Sequence, residues 1–295
     1  MKCYLCGSSD ISLHTRKVRG PSKQNKICEC NQCSLVFLLS NKHISNNFYK
    51  KSNMTISSEI HGNSLLSIQE LIEYTRKYDE RRFNDLKKQI DNKYLLDFGC
   101  GAGGFIKLLK NTAKIVHGIE VEERFHPYFK KENLNVFKQL NDIPNDIKKR
   151  GYDIITLFHV LEHIVDPLAT LNELLKLLKY DGQIIIEVPN SNDALLTLYE
   201  NNSYANFYYW DAHIYYYNIK TLKLLFEKLG LILNYEIKVQ RFPLSNHLYW
   251  LCKGQPNGHK KWNYLNSNLL DTAYKKILGK QNRCDTVFLS FIKNN

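Results

Sequence analysis

The densest run of ligand-holding groups in this chain is Asp97-Phe98-Gly99-Cys100-Gly101-Ala102-Gly103-Gly104, with Glu120 following 17 residues after Gly103. The glycines stand directly after an apolar strand, Tyr94 to Phe98, and at the start of a helix. There they let the turn take positive φ and let backbone approach a ligand closely. Glu120 closes the next strand, where a carboxylate can accept both hydroxyls of a ribose. Gly99, Gly101 and Gly104 also satisfy the spacing of a dinucleotide site, so the glycines alone leave two cofactors open. Asp97 discriminates between them. A carboxylate two residues before the first glycine repels a pyrophosphate and suits a cationic ligand with an α-amino group and a sulfonium. S-adenosylmethionine is therefore favoured over NAD.

A second constellation lies at the N-terminus. Cys3-x-x-Cys6 and Cys30-x-x-Cys33 are separated by 23 residues, the spacing of two knuckles that bring four thiolates around one zinc ion. Such a closed site leaves no position for substrate, so the expected role is structural. A segment of about 40 residues needs a staple of this kind to fold. Cys28 is an odd fifth thiol that can stand in for Cys30, at poorer spacing to Cys33.

Histidines supply the candidates for proton transfer. His213 sits in FYYWDAHIYYY, Phe207 to Tyr217, a run too aromatic for an ordinary solvent loop. Aromatic faces with hydroxyl tips suit a sugar or a nucleotide, and an imidazole among them can serve as general base. A packed lid in which His213 only hydrogen-bonds is the competing reading. His159 directly follows a strand and is expected to face the cleft, whereas Glu162-His163 is expected to cap the next turn. His117 and His126 read as structural, and Asn246 and His247 as either capping and packing groups or acceptor contacts.

These groups need a scaffold, and the apolar pattern provides one. From Lys93 to about Glu236 short apolar strands alternate with helices, the pattern of a parallel sheet with crossover helices. Strands are expected at Tyr94 to Phe98, Ile115 to Glu120, Val136 to Lys138, Tyr152 to Phe158, Gln183 to Val188 and Ile232 to Ile237. Helices are expected at about Gly104 to Leu109, Arg124 to Glu132, Leu168 to Leu178 and Ile219 to Leu229. Upstream, Ser64 to Ile90 reads as a helix; downstream, Phe242 to Lys280 reads as an irregular insert before a last strand, Thr286 to Ile292. The domain plan is a ribbon over 1–40, a helical linker or lid over 41–92 and an α/β domain over 93–295. Acceptor-site insertions are placed at about 191–218 and 241–280.

Residues 93 to 190 resemble the class I S-adenosylmethionine-dependent methyltransferases. Asp97 to Gly103 is similar to their first motif, and Glu120 to their ribose-binding acid. LFHVLEHIVDP, Leu157 to Pro167, resembles the segment that lies under the methionine part of the cofactor, and LLKYDGQIIIEVPN, Leu177 to Asn190, the helix end and strand that follow. The resemblance implies cofactor contacts from Asp97, Gly99, Cys100, Gly101, Gly103, Glu120, Phe158 and His159. It places the adenine at Gln139 or Leu140, although the Gly-Asp usual there is lacking. It also implies a Rossmann-like seven-stranded sheet with an antiparallel last strand, and methyl transfer by in-line displacement at sulfur. A zinc ribbon ahead of this fold resembles sugar methyltransferases of polysaccharide and antibiotic clusters and also occurs ahead of some rRNA methyltransferases; RFPLSNHLYWLCKGQPNGHKKW (Arg241 to Trp262) and the DTVFLSFIK strand resemble methyltransferases of surface-polysaccharide clusters. In sugar C-methyltransferases a glutamate precedes the histidine that His213 matches. Ala212 occupies that position here, so O-methylation is the better fit.

The expected acceptor is thus a sugar, nucleotide-linked or phosphorylated. With 41 basic against 29 acidic residues the formal charge is +12, which keeps an RNA methyltransferase docking through ribbon and basic surface as an alternative. Basic clusters at Arg16 to Lys26, Arg76 to Lys88 and Lys148 to Arg150 do not interleave with aromatics in the way a stacking platform would, which disfavours nucleic acid. A zinc-ribbon protein that binds cofactor without turnover is the remaining alternative. No window has the length and apolarity of a membrane span. A cytoplasmic location is expected from the absence of a signal-like apolar core at Met1 to Cys6.

Overall fold

The protein is described here by a computed structural model covering residues 1–22, 24–44, 48–50 and 66–294. The chain divides into two compact units, one of Met1–His43, Glu187–Lys228 and Tyr235–Leu289, the other of Ile44–Ile186, Leu229–Asn234 and Ser290–Asn295.

The N-terminal strands are short: β1 (Ile11–His14), β2 (Ile27–Cys30) and β3 (Val36–Leu38), joined antiparallel in that order. A long helix, α1 (Ile68–Ile90), begins at a capping box in which Ser67 accepts from the Glu70 N–H while Glu70 accepts from the Ser67 N–H. Its start falls where two orphan donors are satisfied reciprocally. The expected helix began at Ser64; Ser64 and Leu65 lie outside the described residues.

The α/β part then runs β4 (Tyr94–Phe98), α2 (Gly104–Leu109), β5 (Ile115–Ile119), α3 (His126–Lys131), β6 (Val136–Phe137), α4 (Asn145–Arg150), β7 (Tyr152–Phe158), α5 (Pro167–Lys176) and β8 (Leu178–Pro189). After α6 (Ala194–Thr197), α7 (Asn202–Tyr208) and β9 (Tyr215–Tyr216) come α8 (Ile219–Glu227), β10 (Leu231–Val239), α9 (Leu244–Lys253), α10 (Gly258–Lys261), α11 (Asn268–Lys280) and β11 (Thr286–Lys293). Seven strands make the main sheet in the order β10-β11-β8-β7-β4-β5-β6, the Rossmann-like seven-stranded arrangement expected. β4 pairs parallel with β5 and β7, and β5 with β6. β11 runs against β8: the Asn190 N–H bonds the Asp285 carbonyl at 3.0 Å at one end, and Lys293 Nζ the Leu178 carbonyl at 3.1 Å at the other. The sheet is therefore mixed.

Several expected elements shift. The fifth main strand starts at Leu178, five residues before its apolar run. The Tyr152 N–H bonds the Leu177 carbonyl at 2.7 Å and Lys179 pairs with Asp153 at 2.6 Å, so the ladder continues through polar residues. For the same reason the preceding helix stops at Lys176 rather than Leu178. The expected helix from Arg124 to Glu132 is a 3₁₀ turn, Glu123–Phe125, followed by α3 with Pro127 in its first turn. The segment from Phe242 to Lys280 is not irregular: it carries α9, α10 and α11, with Gly254 ending α9 in the left-handed conformation and Ser267 capping α11. Among the described residues no helix is long and apolar enough to cross a membrane.

Candidate active site

β4 delivers the glycine loop and β5 delivers Glu120, so their parallel pairing sets the geometry between them. Glu120 is buried, and its two oxygens accept from the backbone N–H groups of Gly101 and Glu122, each at 2.8 Å. The carboxylate thereby shapes the loop and keeps lone pairs for hydroxyl donors. Gly101 is left-handed, at φ 54°, and a β-carbon built there would meet no described atom within 4 Å. That is the open face of the loop. At Gly104, in contrast, a β-carbon would fall 2.4 Å from Asp79 Oδ2.

Asp79 comes from α1 with Thr75 and Arg82. Thr75 Oγ1 donates to Asp79 at 2.9 Å, Arg82 Nη1 donates at 2.9 Å, and the Arg82 guanidinium lies 4.6 Å from the centre of the Phe158 ring. The sequence reading missed Asp79 and Arg82. Their signal was two charged residues at i, i+3 on the buried side of a helix, next to Leu86 and Ile90. Asp97 is buried and accepts from Thr156 Oγ1 at 2.7 Å. Burial pushes its carboxyl up to about 7, against the Thr156 hydrogen bond and the charge of Arg82. Burial likewise lifts Glu120 to about 7, against its backbone donors.

These two acids fix a pH prediction. A raised carboxyl stabilises the ligand-free fold fully below its ordinary value, and that contribution is lost as pH rises through about 7. A cationic, hydroxyl-bearing ligand needs both ionised, so its binding expels protons. Affinity for S-adenosylmethionine is expected to rise from about pH 6 to about 7.5, by up to about tenfold per unit for each group. Calorimetry in buffers of different ionisation heat reads the proton release directly; an affinity flat over that window would show that these acids do not face the ligand.

His159 follows β7 at φ 56°, a left-handed conformation uncommon for a residue with a β-carbon and a mark of local constraint. Its Nδ1 lies 3.4 Å from Oε1 of the buried Glu162. Glu162 and His163 do not cap the following helix. Asp166 does so, accepting from the Ala169 N–H at 3.1 Å, because it stands directly before Pro167. Cys100 sits in the loop with its thiol raised well above the ordinary range by burial and by Glu120. Gly103 is left-handed at the N-terminus of α2. Gln139 is exposed, 3.2 Å from Asp142, and Leu140 opens a 3₁₀ turn. His117 bonds the Tyr152 hydroxyl at 2.8 Å and His126 the Glu120 carbonyl at 2.9 Å, both packing roles.

The other unit holds His213 and the cysteines. The aromatic segment is not an open sugar platform: Tyr209, Trp210, Tyr215, Tyr216 and Tyr217 are buried. Tyr216 and Tyr215 pair with Val36 and Phe37, so β9 becomes the fourth strand of the ribbon sheet, and the Tyr4 ring lies 5.4 Å from that of Tyr215. Burial of rings against the ribbon explains the aromatic density. His213 is half-buried, with ring contacts to Trp210 at 5.1 Å and Tyr216 at 5.8 Å. Buried His247 accepts from Gln240 and bonds the Tyr274 hydroxyl at 2.8 Å, which makes it a packing group.

The thiols of Cys3, Cys6, Cys30 and Cys33 lie within 4.8 Å of one another, with Cys3 to Cys33 at 3.6 Å and Cys6 to Cys30 at 3.4 Å. Four thiolates at tetrahedral zinc distances stand about 3.8 Å apart, so the set fits zinc. Burial pushes Cys30 up, but the Cys33 N–H and its neighbours bring it down to about 7. Cys28 stays apart from the group, buried in β2 with its thiol raised by burial.

The same unit contains a cleft of about 850 Å³ whose lining includes Arg16, Ser191, Tyr209, Asn218, Lys220 and Lys223. The Lys220 and Lys223 ammonium groups have no carboxylate partner among the described residues. His14 and Glu29, also in the lining, pair with each other at 2.8 Å.

Residues 71–234 match the model of a family described as a methyltransferase domain, which is more than half of the chain, and the chain belongs to that family. The class so defined is that of S-adenosylmethionine-dependent methyltransferases. Among curated proteins it is 28% identical over 114 residues to the ubiquinone biosynthesis O-methyltransferase of Saccharophagus degradans, covering 37% of this chain and 48% of that one. To the enzyme of the same description in Hydrogenovibrio crunogenus it is 25% identical over 177 residues, covering 55% and 73%. The chain spans about half the length of the first of these relatives. Magnesium protoporphyrin IX methyltransferase from Synechocystis PCC 6803, solved with bound SAH, shares the fold at TM-score 0.51 and 12% identity, over 86% of this chain and 100% of that one.

Proposed function

We propose that this protein transfers a methyl group from S-adenosylmethionine to a hydroxyl of a phosphorylated or nucleotide-linked sugar, in the assembly of a surface glycan. The observation that carries the cofactor half is the open, left-handed Gly101 held by Glu120 beside the buried Asp97. Bound S-adenosylmethionine supplies an electrophilic methyl on a good leaving group, so the chain's task is chiefly alignment. Glu120 would take the ribose hydroxyls, and Asp97 would face the cationic end. Phe158 and the constrained His159 would line the methionine side, and Gln139 or Leu140 the adenine. As the acceptor oxygen forms its bond to the methyl carbon, its proton must leave. His213 is our candidate base, with His159, oriented by Glu162, as the second.

The acceptor half rests on the cleft. Arg16, Lys220 and Lys223 suit a phosphate or diphosphate, and Ser191, Asn218 and Tyr209 suit hydroxyls. The name of the curated relatives supports a second reading, a hydroxyl on a precursor in ubiquinone biosynthesis; Arg16, Lys220 and Lys223 in the cleft favour the first. The four cysteines would hold zinc in a structural role, with no position left for substrate.

Release of S-adenosylhomocysteine, measured against a panel of nucleotide sugars, sugar phosphates, catechols and RNA, tests this directly. Turnover is expected with a phosphorylated sugar and should depend on the cleft. Lys223→Glu is expected to raise KM for that acceptor about tenfold or more and leave kcat and cofactor affinity nearly unchanged. His213→Ala is expected to lower kcat by about a hundredfold at unchanged cofactor affinity. Turnover of catechols alone would overturn the sugar reading, and undiminished kcat in the alanine variant would remove His213 from the mechanism.

A further inference from the structure

Most large apolar side chains that reach the surface do so singly and call for no explanation. The helices between β10 and β11 depart from this. Leu269 is 80% exposed, Tyr264 74%, Ile277 56% and Leu270 52%. Leu251 and Leu265 are exposed beside them in the sequence of the same helical segment.

The pattern on α11 is two-sided. Tyr274, Leu278 and Gly279 face inward: Leu278 packs with Ala194 and Cys284, and Gly279 lies against the Lys238 stem. At helical spacing Leu269, Ala273, Ile277 and Leu270 fall within an arc of about 100° on the opposite side. A second apolar stripe therefore points away from the core. Lys276 borders it along one side, Lys280 falls on it at the helix C-terminus, and the segment also exposes Lys253, Lys260, Lys261 and Lys275. From Leu244 to Lys280 these six lysines face a single acid, Asp271. That carboxylate is occupied by the Leu244 N–H at 2.9 Å and the Ser267 N–H at 3.3 Å. No ion pair quenches the lysines among the described residues.

An apolar stripe bordered by unpaired lysines is the composition of a helix that lies in the interface of an anionic bilayer, its leucines in the acyl boundary and its lysines at the headgroups. A second copy of this chain would bring like charges together. Nucleic acid would use the lysines and leave the leucines in water. We propose that the outward face of α11, with Tyr264 and Leu265 ahead of it, docks this protein on a membrane surface rich in anionic phospholipid.

Sedimentation of the full chain with vesicles tests the proposal, using phosphatidylcholine with and without phosphatidylglycerol. Binding is expected to the anionic vesicles, to weaken as salt is raised, and to be lost by about tenfold or more in Leu269→Glu/Ile277→Glu. Lys276→Glu/Lys280→Glu should weaken it as well. Lys87→Glu/Lys88→Glu, the same charge change on exposed positions of α1, should not. All these side chains are exposed, and unchanged S-adenosylmethionine affinity confirms a folded protein. No binding to either vesicle, or equal loss in the α1 control, would overturn the proposal. So would a concentration-dependent dimer abolished by the leucine variant in the absence of lipid, which would assign the face to a second copy.

Discussion

Glu120→Ala is expected to weaken S-adenosylmethionine binding by about two to four orders of magnitude without unfolding the protein. The side chain has two tasks. It holds the Gly101 and Glu122 N–H groups at 2.8 Å, and through them the curvature of the loop after β4. It would also accept from two ribose hydroxyls. Hydrogen bonds to a charged group contribute about 1.5–3 kcal/mol each, so two lost together, about 3–6 kcal/mol, amount to about two to four orders of magnitude. The fold tolerates the change because the buried carboxyl, lifted to about 7 by burial, is not a net prop of the ligand-free state at neutral pH. Calorimetry on wild type, Glu120→Ala and Glu120→Gln checks this. The glutamine should fall between the other two, since its oxygen can serve only one of the loop N–H groups. Binding within about threefold of wild type in the alanine variant would mean that the ribose is held elsewhere.

The second large effect concerns the cysteines. Cys33→Ser, or stripping with a chelator, is expected to release one zinc per chain and to unfold more than the first 40 residues. Structural zinc binding of this kind is worth about 10–16 kcal/mol of apparent free energy at neutral pH, far more than three short strands bury. The damage should spread because β3 pairs with Tyr215 and Tyr216, and the Tyr4 ring lies against Tyr215. Metal analysis together with proteolysis reads both effects. Chelation should expose the chain near Trp210 to Tyr217 as well as the N-terminus. A chain that keeps its protease pattern after losing the metal, or never contains one, would contradict the assignment.

How much of this was legible beforehand follows from the period of each element. Strands β4 and β7 were readable to the residue because each is a short run made mostly of apolar residues and ended by glycine or a polar turn. The glycine loop and Glu120 were readable because they sit at the ends of such strands. β8 was cut short because its first residues, Lys179, Tyr180 and Asp181, are polar and held only by the ladder and an ion pair. The helices from Leu244 to Lys280 were missed because α11 is apolar on two sides, so no single 3.6-residue stripe emerges from its sequence. The aromatics from Phe207 to Tyr217 were noticed and assigned to substrate. Their partners, Val36 and Phe37, lie far back in the chain, and no local pattern reveals a pairing of that range. Asp79 and Arg82 show the reverse failure, two charges on a helix that a local reading leaves in solvent.

The pairing of β3 with β9 also constrains how the protein is made. Val36 leaves the ribosome roughly 180 residues before Tyr216, its neighbour in the finished sheet. At ordinary elongation rates that interval lasts about 10–35 s. Throughout it the nascent ribbon offers an unprotected strand edge, a template for wrong partners. Early capture of metal by Cys3, Cys6, Cys30 and Cys33, all synthesised before Val36, would hold that edge in register until Tyr215 and Tyr216 arrive. Cells short of zinc should then accumulate aggregated newly made chain while molecules already completed persist.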